Sequence, residues 1–402
     1  MTRSGCCRLI TVAAITFTIG GLSTAKAQNS YVVGYITDLS GPLAESYTPT
    51  WEGFELYMKA LNDRGGINGK KIDVVLDDDG LKPDRAVANA KKQAERDNVL
   101  AIFGLSLSST QAPVYAEMRK VRVPVVTTFS GILDALPPAK PYSYSTGVVF
   151  EVAGAAIGEL LRNIRPGGMV VGLTIDSVGG RAALAFNKKV AEAEGYKWDE
   201  VRFPVTTTDF TPFAQTAVEK KPDIVVGHYG GGQNLGIIPA LRRSGYSGPY
   251  VVASYGVTED IVRQAALRAG SGENIYYVTR YSSAFDNNPS VAEVAAAQKE
   301  YKTSKPFSSM HITGWAMGKF AEAALKGCGW PCNREQLDKV IQTLKVEMGG
   351  LTGGPIEMSP GDGYGPSYWR LYAWNAKSNS MEPKSNWVRK DAKDAKDAKG
   401  YQ

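Results

Sequence analysis

Residues 101–113 constrain this chain more than any other stretch. The apolar run Ala101-Ile102-Phe103-Gly104-Leu105 gives way at once to Ser106, Ser108, Ser109 and Thr110, with Pro113 just beyond. The short apolar run reads as a buried strand, and the hydroxyls followed by proline read as the start of a helix. A strand that delivers a helix N-terminus suits an open parallel sheet, where small molecules bind beyond the carboxyl ends of the strands and free backbone amides hold anions and carbonyls. Ser106, Ser108 and Ser109 stand at that spot, as helix caps, as ligand contacts, or as both.

The same device recurs along the chain. Tyr31–Ile36 ends in Asp38-Leu39-Ser40-Gly41-Pro42, and a helix from about residue 50 stops at Gly65-Gly66 by left-handed capping. Ile72–Leu76 closes with Asp77-Asp78-Asp79-Gly80. This acidic triplet lacks the bidentate glutamate of a calcium loop, so it reads as a solvated strand end. Val123–Val126 runs into Thr127, Thr128, Phe129, Ser130 and Gly131. In the second half, Met169–Ile175 ends in Asp176-Ser177-Val178-Gly179-Gly180-Arg181, Asp223–Gly227 ends in His228-Tyr229-Gly230, and Tyr250–Ala253 ends in Ser254-Tyr255-Gly256. Strands alternating with helices give an α/β chain with doubly wound parallel sheets. Its length exceeds one ordinary domain, so two lobes are expected. Helices near 290–301, 308–326 and 333–344 have no strands of their own and are expected to return over the first lobe, with 355–358 and 368–374 finishing the second. The expected division is 28–147 plus 281–353 for one lobe, 148–280 plus 354–388 for the other, and a charge-balanced flexible tail over 389–402.

Residues 1–27 read as a secretory signal peptide: Arg3 and Arg8, an apolar stretch over 9–22, then Ala25 and Ala27 in a cleavage pattern. Export implies a periplasmic location. Cleavage would remove Cys6 and Cys7 and leave 43 basic against 40 acidic side chains, nearly neutral. With no basic face interleaved with aromatics, nucleic acid is not an expected partner. Cys328 and Cys332 remain, in Cys-Gly-Trp-Pro-Cys, and an exported compartment permits them to bond to each other. A zinc site there would need two further ligands. Neither the P-loop spacing nor a G-x-S-x-G elbow is present, and the two histidines, His228 and His311, have no flanking carboxylate. An enzyme is therefore disfavoured and no cofactor or metal is expected. His228 reads as a polar cleft group and His311 as a packed helix residue; Trp51 and Trp315 read as core.

Four stretches carry a resemblance: Asp38-Leu39-Ser40-Gly41-Pro42-Leu43-Ala44, the glycine-rich Leu61–Ile72, Phe103-Gly104 through Gln111, and Val123-Pro124-Val125-Val126. On these the chain resembles the type I periplasmic binding proteins, specifically the branched-chain amino acid binding family of bacterial ABC importers. The resemblance implies two lobes joined by a three-crossing hinge, a ligand trapped between them, and delivery to membrane permease subunits by a monomer. In the amino acid binders the ligand carboxylate is held after strands three and four, which here fall on Ser106–Ser109 and on Phe129, Ser130 and Gly131. The glutamate that holds the ammonium aligns near Tyr255, and a tyrosine after the second lobe's first strand falls near Val178–Gly180.

A buried ammonium with no anionic partner costs several kcal/mol, so the expected ligand is a small organic acid. Tyr47, Phe129, Tyr229 and Tyr255 offer flat surfaces suited to an aromatic carboxylate, and Arg181 could supplement Thr128, Ser177 and the serines in holding its charge. Lobe packing is the plain alternative for each aromatic. An amino acid or amide ligand, and a sensing domain that feeds a membrane receptor, stand as the alternative functions.

Overall fold

A computed structural model of the chain describes residues 1–2, 29–105, 107–130, 133–176, 178–253 and 257–391. The signal-peptide region 3–27, with Cys6 and Cys7, and the tail beyond 391 lie outside the described residues. In chain order the elements are β1 (Ser30–Thr37), α1 (Ala44–Asp63), β2 (Lys71–Asp78), α2 (Pro83–Glu95), β3 (Ile102–Gly104), α3 (Ser108–Lys120), β4 (Val125–Ser130) and β5 (Ser143–Val149). There follow α4 (Phe150–Leu161), β6 (Gly168–Ile175), α5 (Val178–Ala193), β7 (Tyr196–Phe203), α6 (Thr211–Glu219), β8 (Ile224–His228), α7 (Asn234–Arg243), β9 (Tyr250–Val252), α8 (Glu259–Arg268) and β10 (Ile275–Thr279). The chain finishes with α9 (Pro289–Tyr301), α10 (Ser309–Cys328), α11 (Arg334–Ile341), β11 (Lys345–Val346), β12 (Ile356–Glu357), β13 (Ser367–Asn375), β14 (Ser380–Pro383) and β15 (Val388–Lys390).

The first sheet has the order β2-β1-β3-β4-β5, all parallel. The second has the order β14-β13-β10-β9-β8-β6-β7, parallel from β10 to β7, with β13 antiparallel to β10, β14 and β15. Each sheet is covered on both faces, as parallel sheets require. On β1, Tyr31, Val33 and Tyr35 join a core with α1, α9, α10 and α11, while Ile36 faces α2 and α3. On the second sheet Val171, Val225 and Val252 pack under α6, α7 and α8, while Val170, Val226 and Val251 face α4. The strand period of two thus sorts neighbouring residues into separate cores.

The tightest helix pair is α1 against α10. A Cβ on Gly53 would fall 2.0 Å from His311 O, and one on Gly314 would fall 1.9 Å from Thr50 O, so both positions must lack a side chain. Trp51 and Trp315 lie in this core. The chain passes between the sheets three times: from β5 into α4, from β10 through Tyr281, and from Tyr364 into β13.

Three expectations need correction. Helix α1 begins at Ala44, not near residue 50, with Pro49 inside it. Ile356 and Met358 pack in the first core and not the second, because β12 pairs with β11 beside α11. Arg389 and Lys390 belong to β15, paired with Tyr368 and Ser367 of β13, and Lys390 Nζ reaches Glu159 Oε2 at 2.7 Å. Cys328 and Cys332 are bonded to each other, with Cα atoms 5.6 Å apart.

Candidate functional site

The loop after β3 is strained where it meets α3. Gly104 and Leu105 take left-handed backbone angles, with φ of 95° and 60°. At Gly104 this excludes a side chain, since a Cβ would meet Ile36 O at 2.5 Å. Consecutive left-handed residues are costly and concentrate at functional turns. They are held by Leu105 N donating to Ile36 O at 2.6 Å and by Gln111 Nε2 donating to Leu105 O at 3.1 Å. Leu107 then returns to extended backbone, and α3 begins at Ser108 with no side-chain cap at Leu107. The first helix bonds run from Thr110 N and Gln111 N to Leu107 O, so the amides of Ser108 and Ser109 lie ahead of the helix's own ladder. Ser108 is half-buried and Ser109 exposed. Ser106 lies outside the described residues.

Beside this loop, β4 carries Thr127 and Thr128, both buried, and closes with Phe129 and Ser130. A register shift against β5 falls between Thr127 and Phe129, and the β5 backbone presses so closely there that a Cβ on Gly147 would overlap Thr128 O. The third wall is the loop into α1. Asp38 Oδ1 accepts from Gly41 N at 2.5 Å and Oδ2 from Leu43 N at 2.9 Å, which starts the helix early. Tyr47 is buried against Met310, its hydroxyl pushed up by burial and by the carboxylates of Asp38 and Asp79.

The acidic triplet is not a solvated strand end. Asp78 accepts from Leu39 N at 2.9 Å, Ser40 Oγ at 2.5 Å, Gly80 N at 3.0 Å and Arg85 Nη2 at 3.0 Å, tying the loop after β1 to β2. Asp79 is fully buried, accepts from Leu81 N at 2.9 Å, and has its carboxyl pushed up to about 6 by burial and by Asp38 and Asp78.

On the second sheet, Arg181 is taken by Asp176, Nη1 to Oδ1 at 2.5 Å, and faces a groove between α5 and the edge strand β7 with Lys188, Trp198 and Arg202. Tyr229 turns back into the second core, its ring 5.6 Å from that of Phe203, and so serves as packing. His228 is buried, which lowers its pKa to about 3 and keeps it neutral. The two lobes touch at this point: a Cβ on Gly230 would lie 3.0 Å from Leu43 Cδ2. Ser177, Gly131 and Tyr255 lie outside the described residues.

Two buried carboxylates could not be placed from the sequence. Glu259, at the first turn of α8, accepts from Ala284 N at 2.9 Å, Ser283 Oγ at 3.1 Å, Ser309 N at 3.0 Å and Ser309 Oγ at 3.3 Å, so it joins α8 to the start of α10. Glu52 accepts from Ser304 N at 2.7 Å and faces His311 Nε2 at 3.1 Å. Burial alone would raise Glu52, but the hydrogen bonds from His311 and Ser304 hold it below the usual range. His311 is a packed helix residue with a carboxylate partner from across the core.

A family model described as periplasmic binding protein matches residues 30–379. The chain belongs to the type I periplasmic binding proteins. An amino acid binding protein of Pseudomonas aeruginosa is 33% identical over 102 residues, 25% of this chain and 27% of that relative's length. A solute-binding protein of an ABC transporter from Rhodopseudomonas palustris, solved with 3,4-dihydroxybenzoic acid, superposes with a TM-score of 0.74 at 23% identity, covering 90% of this chain and 98% of that one. A branched-chain amino acid ABC transporter protein from Thermus thermophilus, solved with valine, superposes with a TM-score of 0.78 at 16% identity, covering 90% and 97%. Among the described residues no helix is long and apolar enough to cross a membrane.

Proposed function

We propose that this protein is the extracytoplasmic solute-binding component of an ABC importer, exported by cleavage near Ala27, and that it traps a small aromatic carboxylate between its lobes for a membrane permease. The carrying observation is the state of the acidic groups where an ammonium would need one. The sequence places Tyr255 where amino acid binders place glutamate, and Glu259, four residues on, is filled by four donors. Asp38 is spent on two backbone amides and Asp176 on Arg181. The ligand's carboxylate is assigned to the start of α3: the amides of Ser108 and Ser109 lie ahead of the helix's own ladder, and Thr128 and Ser130 are carried by the neighbouring strand β4, a combination that suits an anion. Tyr47, Phe129 and Tyr255 are the proposed ring contacts. The Rhodopseudomonas protein solved with 3,4-dihydroxybenzoic acid shares the fold.

No catalytic step is required. Ligand would stabilise the closed arrangement, in which Leu43 meets Gly230, over the open one. An aromatic acid of ~12 heavy atoms at ~0.7 kcal/mol each would reach ~8 kcal/mol, about micromolar affinity. Thermal melting of the purified protein against benzoate, 4-hydroxybenzoate, leucine and valine tests the reading. A rise with the aromatic acids alone supports it, and a rise with leucine or valine alone defeats it. The valine-bound Thermus protein and the Pseudomonas relative favour amino acids as the second reading.

A further inference from the structure

The three segments that pass between the sheets run side by side and are tied together. Ser145 N donates to Gly363 O at 2.9 Å, Tyr281 OH to Thr146 O at 2.5 Å, and Arg280 Nη1 to Gly147 O. Arg280 is 2% exposed, with its guanidinium carbon 4.7 Å from the centre of the Tyr364 ring. Each crossing therefore contributes to its surroundings: Gly147 from the first, Arg280 itself from the second, Tyr364 from the third.

The guanidinium is not neutralised there. Among the described residues no carboxylate pairs with it, and its Nε finds no hydrogen-bond partner. The same is true of the hydroxyls of Tyr364 and Thr146, residues fully buried on the two adjoining crossings. Arginine stays charged at any physiological pH, and a buried charge without a partner is among the most costly things a fold can contain. Water would satisfy the hydrogen bonds and leave the charge uncompensated. One carbonyl and one ring face fall short of what a buried guanidinium demands.

We infer that the junction holds a single small monoanion against Arg280, with Tyr364 OH and Thr146 Oγ1 as hydroxyl donors. One cation and two hydroxyls match a carboxylate or a halide in charge and in hydrogen bonding. Two sources share this chemistry: the carboxylate of the transported acid, an assignment that rests on the function proposed above but would move the ligand's charged end from the start of α3 to Arg280, or a free ion such as chloride or formate, which does not. In either case the anion joins all three crossings, so its occupancy stiffens the path along which the lobes move.

The test compares the full-length secreted protein with Arg280→Met, Tyr364→Phe and Thr146→Val. Melting temperature is read in chloride, formate and benzoate at constant ionic strength, and benzoate is titrated calorimetrically. A free-anion site predicts that chloride or formate raises the melting temperature of the wild type, that Arg280→Met abolishes the rise, and that Tyr364→Phe weakens the anion several-fold, with benzoate affinity unchanged. A ligand-carboxylate site predicts that Arg280→Met lowers benzoate affinity at least tenfold and Tyr364→Phe several-fold, with formate competing. If Arg280→Met does not fold, the two hydroxyl variants carry the same comparison. Responses to all three anions that are the same in wild type and variants overturn the inference. Failure of benzoate to bind while formate stabilises in an Arg280-dependent way would sink the aromatic-acid reading and leave the junction site standing.

Discussion

Replacing Glu259 should destabilise the protein without touching ligand chemistry. Its two oxygens accept from four donors, the amides of Ala284 and Ser309 and the hydroxyls of Ser283 and Ser309, at 2.9–3.3 Å, with the residue 4% exposed. Hydrogen bonds to a charged group are worth ~1.5–3 kcal/mol each, and they are not additive within one cluster. Removing one side of a buried, satisfied charged set costs ~3–5 kcal/mol, because the donors left behind stay desolvated. Glu259→Ala is therefore expected to lose ~3–5 kcal/mol. Glu259→Gln keeps one acceptor oxygen but turns an amide toward donors on the other side, and should lose about half as much. Urea unfolding followed by tryptophan fluorescence measures both. A loss below ~1 kcal/mol for the alanine variant would refute the claim that Glu259 is committed to joining α8 to α10. If the glutamine variant kept its stability yet lost amino acid binding, Glu259 would be the ammonium partner after all.

Other consequences follow from single residues. Burial and neighbouring carboxylates raise the Asp79 carboxyl to about 6, so the folded state holds that proton more tightly than the unfolded chain, whose value is about 3.9. Stability is then lost as pH rises from about 4 to about 6; Asp79→Asn should match the wild type at pH 4 and exceed it by up to ~3 kcal/mol at pH 7, as thermal melts across that range would show. Glu52 behaves in the opposite sense: its lowered carboxyl stabilises the fold at neutral pH and the gain is lost on acidification, so Glu52→Gln should flatten the acid limb of the stability curve. Gly104→Ala forces a Cβ to within 2.5 Å of Ile36 O at a φ of 95°, and should cost at least ~2 kcal/mol and weaken ligand binding, measured by urea unfolding and titration. Opening the Cys328–Cys332 bond by double serine substitution should cost ~2 kcal/mol, the small entropy of so short a loop, and leave binding unchanged.

Strands β1, β3, β4, β6, β8 and β9 were legible because each is an apolar run that ends in glycine or hydroxyl-rich loops, and the strand period sorts residues such as Val170 and Val171 to opposite faces; β5, SYSTGVV, and β14, SMEP, carry no such run. The early start of α1 was not legible. Pro49 reads locally as a break, yet the Asp38 carboxylate takes two amides ahead of the helix, and burial of Tyr47, Trp51 and Phe54 outweighs the one bond that proline forfeits. The places of Ser108 and Ser109 at the start of α3 and of Thr128 and Ser130 at the end of β4 could be read from the hydroxyls that stop each apolar run. Side-chain direction could not: Tyr229 folds back onto Phe203, and Arg181 turns to Asp176, because in both cases the nearest favourable partner lies within its own lobe. Least legible were Glu259, Arg280 and the Glu52–His311 pair, whose partners come from distant parts of the chain. Pairings of that kind leave no periodic trace in a sequence.

The central claim is that the site takes a carboxylate and has no counter-charge for an ammonium. Calorimetric titration with phenylacetate and with phenylglycine, which differ only by the α-amino group, tests it most directly. The account predicts that phenylacetate binds and that phenylglycine binds at least about a hundredfold more weakly, since several kcal/mol attach to an unpaired buried ammonium. Equal or tighter binding of phenylglycine would contradict it and place an acidic partner at the ligand's amino group.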